Sequence, residues 1–120
     1  MGCALTARFA TKIRQLHAMV LEAPFASLKK AIAQKYQMFS PALHLLRYEM
    51  DTEKWVGQVE TPTLVIYGDA DQKILPSDCK KVFNASAAPV KEEIVIREGT
   101  HYLYQFGSGE RIKTWLQKVI

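Results

Sequence analysis

Two short stretches of the chain hold the residue types that do chemistry. Residues 68–76 read Gly-Asp-Ala-Asp-Gln-Lys-Ile-Leu-Pro, and residues 98–102 read Glu-Gly-Thr-His-Tyr. Each comes after an apolar, β-branched run, Thr63 to Tyr67 in the first case and Ile94 to Ile96 in the second. A carboxylate that accepts a hydrogen bond from the Nδ1–H of an imidazole holds the ring in the tautomer whose Nε2 can take up a proton. Asp71 and His101 are therefore candidates for a paired acid and base, provided that the fold delivers both loops to one place. Singly, neither is distinctive, because a histidine in a loop is usually a surface or packing residue and Gly-Asp after a strand is usually turn chemistry. Glu22 is an alternative acid, and Asp69 reads as a turn residue. Ser27 and Ser108 do not sit on the glycine-flanked strand-to-helix elbow that makes a serine an accessible nucleophile, so both read as surface hydroxyls. Gly107-Ser108-Gly109 lacks the lysine of a phosphate-binding loop and reads as a helix start.

The elements that must position these residues can be read from apolar spacing. Leu5, Phe9 and Ile13 recur every four residues over Cys3 to Arg14, which predicts an amphipathic helix with those three on its buried face. Ala18 to Leu21 is a short apolar run ended by Pro24, the pattern of a strand buried on both faces. Leu28, Ile32, Tyr36 and Phe39 mark a helix that Pro41 closes. A further helix begins at Asp51 as N-cap and carries Val56 and Val59 on one face. Thr63 to Tyr67 is a second buried strand, entered through Pro62 and left through Gly68. A helix after Pro76 turns Cys79, Val82 and Phe83 inward, and Ile94 to Ile96 form a third strand. Ile112, Trp115, Leu116 and Val119 then define the inner face of a last helix. Strands alternating with helices imply an α/β fold, three layers deep, with three parallel strands, right-handed crossovers and helices on both faces. In such a sheet the chemistry belongs beyond the carboxyl ends of the strands, where both candidate loops emerge.

Composition bounds the rest. The chain has 120 residues, enough for one domain and not two. It is 48% hydrophobic and 23% charged, and no stretch approaches the run of about 18 apolar residues that a membrane span needs. The net charge of +4 is scattered from Arg8 to Lys118, whereas a nucleic-acid footprint gathers on one helix or loop, so no nucleic-acid partner is expected. Cys3 and Cys79 are too far apart to be a metal-ligand pair, and no C-x-x-C or H-x-x-x-H spacing occurs, so no metal or cofactor is expected. No secretory signal is seen, and the expected location is cytoplasmic.

With these residues in place, the sequence resembles the α/β-hydrolase family over nearly its whole length. Thr61-Pro62-Thr63-Leu64-Val65-Ile66-Tyr67-Gly68 with Asp71 and Leu75-Pro76 is similar to that family's acid segment, and Gly99-Thr100-His101 to its histidine turn. Leu21 to Leu28, Leu45-Leu46-Arg47-Tyr48 and Asp51 are similar to the lineage with serine aminopeptidase-like, monoacylglycerol-lipase-like and depalmitoylase-like members. Met1-Gly2-Cys3-Ala4-Leu5 resembles the residues just after the nucleophile in G-x-S-x-G, which would place the serine one residue before Met1 and leave Cys3 as a packed residue one helical turn beyond it. The resemblance implies residues 1–120 as a partial hydrolase domain, equivalent to the last three strands of the family's sheet, with 25–59 as a helical cap-like insertion. It implies a serine hydrolase (esterase, lipase, thioesterase or peptidase) acting on a small apolar or acyl substrate, with Asp71 and His101 catalytic. The nucleophile and the loop bearing the second oxyanion donor would lie outside these residues, so the chain alone is expected to be inactive. Phe39, Leu43 and Leu46 in the insertion suit an apolar substrate.

Other readings stay open at this point. A small α/β binding or scaffold protein would keep the fold without the chemistry. Met1-Gly2-Cys3-Ala4-Leu5-Thr6 also matches M-G-x-x-x-[ST], the myristoylation pattern, with a cysteine placed for a second acyl chain. The resemblance to the hydrolase helix accounts for the same residues without lipid. A missing N-terminal half would leave an unpaired strand edge, so self-association or pairing with that half is expected.

Overall fold

The structure is a computed structural model that describes residues 2–28, 30 and 50–120. Its elements are helix α1 (Gly2–Ala10), strand β1 (Met19–Glu22), helix α2 (Thr52–Val56), strand β2 (Thr63–Gly68), helix α3 (Pro76–Ala85), strand β3 (Lys91–Ile96), a 3-10 turn (Leu103–Phe106) and helix α4 (Ser108–Val119). The strands lie in the order β1-β2-β3, and both pairs are parallel. Every residue of the central strand β2 is buried. Because successive side chains of a strand point to opposite faces, Val65 and Tyr67 join Leu21, Val56, Cys79 and Val82 on one side, and Leu64 and Ile66 join Ile96, Leu103 and Trp115 on the other. Helices α1, α2 and α3 cover the first face, and α4 covers the second.

Local chemistry explains where the elements start. The Asp51 side chain accepts a hydrogen bond from the backbone N–H of Lys54 at 3.1 Å and caps α2, whose Val56 is buried with Val59 just beyond it. Pro76 opens α3, where a residue without an N–H removes no helical hydrogen bond and arrives with its φ preset. Asp78, in the first turn of α3, accepts from the Ala26 backbone N–H at 2.9 Å and ties the helix to the segment after β1. Within the stretch 25–59, Leu28 N–H donates to the Met50 carbonyl at 3.0 Å, and Ser27 and Asp51 form an antiparallel bridge. The helix expected over Leu28 to Phe39, and with it Phe39, Leu43 and Leu46, lies outside the described residues apart from Leu28 and Lys30.

Five sequence expectations are corrected. Helix α1 ends at Ala10 rather than Arg14, where the Thr11 hydroxyl donates to the Arg8 carbonyl at 2.7 Å and Lys12 N–H closes a tighter turn on Phe9 at 2.9 Å. Its buried face is Ala4, Ala7 and Ala10, while Leu5, Phe9 and Ile13 are 42%, 63% and 47% exposed. Small side chains on this face let α1 pack closely on α2 and β1. Strand β1 buries Met19 and Leu21 on one face only, because the helix on the other face, α4, packs on β2 and leaves Val20 half-covered. Strand β3 begins at Lys91, three residues before the expected start, since its charged positions have partners that a periodicity count does not see. Glu93 accepts from the Tyr67 hydroxyl at 3.0 Å and pairs with Lys80 at 2.8 Å, and Lys91 Nζ donates to the carbonyls of Phe83 and Ser86 at the end of α3. Finally, Ser108 is buried at the first position of α4, not on the surface. The 3-10 turn that precedes it, absent from the sequence reading, folds Leu103 back into the core that holds Trp115.

Candidate active site

The register pairs Gly68 with Ile96, so β2 and β3 end level with each other and their loops leave from one edge. The two loops then touch backbone to backbone. A Cβ on Gly68 would lie 2.0 Å from the Gly99 carbonyl oxygen, and one on Gly99 would lie 3.1 Å from the Gly68 Cα. Neither glycine has a positive φ, so the demand for glycine at both positions is one of space. Ala70 N–H donates to the Gly99 carbonyl at 3.0 Å across this contact.

On that crossing the chain places Asp71 against His101, with Oδ2 to Nδ1 at 2.9 Å. The other carboxylate oxygen, Oδ1, accepts from the backbone N–H groups of Lys73 at 2.8 Å and Ile74 at 2.9 Å, an Asx-type turn that fixes the side chain. Three N–H groups thus converge on Asp71, as the acceptor-only character of an ionised carboxylate requires. Bonding to that acceptor puts the proton of a neutral imidazole on Nδ1 and leaves Nε2 as the free base. The Asp71 side chain has no exposed surface, whereas that of His101 is 37% exposed. Beside the ring, Tyr102 packs edge-on at 6.1 Å and Tyr104 stacks in the same manner on Tyr102 at 6.5 Å. Lys73 Nζ donates to the Tyr102 hydroxyl at 2.6 Å and lies 4.6 Å from the centre of its ring.

The other candidates are not brought to this point. Glu22 is exposed at the end of β1, on the far side of β2 from β3, about 10 Å away across two strand spacings. Its carbonyl accepts from the Cys3 thiol at 3.2 Å. That bond also puts the first turn of α1 on the carboxyl edge of the sheet. Met1, beside which the resemblance places the serine, lies outside the described residues. Ser27 is half-buried in its bridge with Asp51. Asp69 is more than a local turn residue, since its Oδ1 accepts from the Glu98 backbone N–H at 2.6 Å, on the histidine loop. The Lys73 and Tyr102 pairing is also new to the structure; no spacing in the sequence signals it. Among the described residues no group of three or more His, Cys, Asp or Glu is placed to hold a metal ion, and no helix is long and apolar enough to cross a membrane. A groove of about 410 Å³ between α4 and β3, lined by Glu92, Glu110, Arg111 and Trp115 among others, is built from neither of the two loops.

These features, three parallel strands with helices on both faces and two loops crossing at their carboxyl edge, form part of the α/β-hydrolase fold. No protein-family model matches the chain, and no curated protein matches it. Solved structures do. The esterase domain of a Rhodothermus marinus protein is similar over 98% of this chain at TM-score 0.75 and 16% identity, with 57% of its own length covered. A Paleococcus ferrophilus monoacylglycerol lipase is similar over 98% of this chain at TM-score 0.70 and 14% identity, with 65% of its length covered. For a Pyrococcus horikoshii acylaminoacyl peptidase the figures are 97%, 0.67 and 15%, with 22% of that chain covered. The chain thus spans less than two thirds of each of these structures.

Proposed function

We propose that Asp71 and His101 are the acid and the general base of a serine hydrolase that cleaves ester, thioester or amide bonds. The observation that carries this reading is the 2.9 Å bond from His101 Nδ1 to a carboxylate without exposed surface, with the imidazole itself partly open. Esterase, lipase and peptidase, the activities named for the similar structures, share attack on an acyl carbonyl. In that reaction His101 Nε2 takes the proton of a serine Oγ as it attacks, then returns it to the leaving group, and Asp71 stabilises the imidazolium formed between the two steps. The nucleophile belongs one residue before Met1, just ahead of α1, whose first turn lies on the same edge of the sheet; the backbone N–H of the residue after it would supply one oxyanion donor. Exposed Tyr102, Tyr104 and Phe106 give the rim of the site an aromatic surface suited to an apolar acyl group. The free thiols of Cys3 and Cys79 agree with a reducing, cytoplasmic setting.

The test is reconstitution. The 120 residues alone are expected to hydrolyse no activated ester and to take no fluorophosphonate label. Joined to an N-terminal hydrolase half ending in Gly-x-Ser, they are expected to do both, with His101→Gln inactive. Within that fusion Asp71→Asn should lower turnover by about ten-thousand-fold, through loss of the productive tautomer. An unchanged rate in Asp71→Asn, or labelling of Ser27 or Ser108 in the chain alone, would sink the proposal.

A further inference from the structure

The acid loop and the histidine loop are joined by side chains at three levels: Asp69 to the Glu98 N–H at 2.6 Å, Asp71 to His101 at 2.9 Å and Lys73 to Tyr102 at 2.6 Å. The first differs in kind, because it seizes the backbone. Its donor, Glu98, has φ +59°, in the left-handed region that residues with a Cβ avoid. Such a conformation persists only where the surroundings impose it. The surroundings are visible here. Asp69 N–H and Gly99 N–H both donate to the Ile96 carbonyl, at 3.2 and 3.0 Å, and the Asp69 carboxylate closes on the N–H between them. A charged acceptor at this distance makes one of the stronger hydrogen bonds available to a backbone N–H. Asp69 and Glu98 are 29 residues apart, so this bond is no local turn; it couples the exit of β2 to the exit of β3.

We propose that Asp69 is a positioning residue for His101. By holding Glu98 left-handed it sets the direction in which the chain leaves β3, so that the imidazole three residues later meets Asp71. The inference deepens the proposed function and rests on the Asp71–His101 reading. It also explains why the loop carries acids at both 69 and 71: one aims the histidine, and the other binds it.

The experiment uses the 120-residue chain with 15N-labelled histidine, whose ring nitrogen shifts report the tautomer of the neutral imidazole. The His101 signals are assigned by their loss in His101→Gln, and folding is followed by circular dichroism. The wild type should hold His101 as the Nδ1–H tautomer, and Asp71→Asn should abolish that preference. Asp69→Ala should reduce the tautomer ratio at least about threefold, while Asp69→Asn, whose amide oxygen can still accept from Glu98, should keep it. The double variant Asp69→Ala/Glu98→Gly should restore the wild-type ratio, since glycine adopts a positive φ unaided. A folded Asp69→Ala chain with the wild-type ratio overturns the positioning role. If Asp69→Ala does not fold, the double variant decides alone, and its failure to show the wild-type ratio overturns the role. A wild-type ratio in Asp71→Asn instead overturns the acid–base reading itself, so the two failures are distinguishable.

Discussion

Behind Asp71, on the α3 side of the sheet, lie two groups whose protons the fold holds tightly. Burial, with Asp71 and Asp78 nearby, pushes the Cys79 thiol well above its ordinary value of 9.0. Burial, together with the hydrogen bond to Glu93, pushes the Tyr67 phenol well above 10.0. Both are acids that the native state keeps protonated after the unfolded chain has begun to release them. Between the ordinary and the raised values the folded chain therefore binds more protons, and unfolding becomes easier as pH rises. Stability should be full below about pH 9 and fall above it, through the thiol first and the phenol next. Urea midpoints measured from pH 7 to 10.5 check this; a flat profile would show that neither proton is held. Because the thiolate is the reactive form, native Cys79 should also resist iodoacetamide at pH 8, and rapid alkylation of the folded chain would count against its burial. Cys3, half-buried and likewise pushed up by burial, should react slowly.

At the scale of elements, the sheet edge depends on a contact between two glycines. A methyl at Gly68 would overlap the backbone of Gly99 at 2.0 Å, and backbone cannot rotate away as a flexible side chain can. Gly68→Ala is expected to destabilise the chain by about 3 kcal/mol, at the upper end of overpacking costs, or to separate the two loops. Gly99→Ala meets the Ile96 side chain and the Gly68 Cα at 2.9 and 3.1 Å, and should cost less. Thermal unfolding of both variants, with the His101 tautomer as a local probe, distinguishes these outcomes; a Gly68→Ala chain as stable as the wild type would mean that the loops do not cross as described.

At the scale of the whole molecule, β1 lies at an edge of the sheet among the described residues. In a parallel strand alternate residues bond to opposite neighbours; Met19 N–H donates to the Pro62 carbonyl just before β2 and Ala23 N–H to that of Ile66 within it, which directs the N–H groups of Val20 and Glu22 outward. Leu5, Phe9 and Ile13 add exposed apolar surface on and just after α1, the helix against β1. An open strand edge beside apolar surface is a template for association. Sedimentation velocity should therefore show association that grows with concentration and that Leu5→Lys/Phe9→Lys reduces without loss of helicity. A monomer at every concentration would leave this edge without a partner role.

The sequence by itself determined the class of fold, the parallel order of β2 and β3, the N-cap at Asp51, the inner face of α4 and the two loops that carry Asp71 and His101. Each of these is written in local spacing: buried parallel strands are apolar throughout, helices repeat every 3.6 residues, and Gly, Asp and Pro mark turns where their own backbone preferences apply. What only the tertiary structure decided depends on residues distant in the chain. The alanines of α1, rather than its larger side chains, face the core, which is decided by the elements α1 packs against and not by its own apolar spacing. The charged start of β3 is a strand because Tyr67, Lys80 and the end of α3 supply its partners. Gly68 and Gly99 are required by each other, and Asp69 acts on a residue 29 positions away; spacing within one loop cannot encode a distance between two.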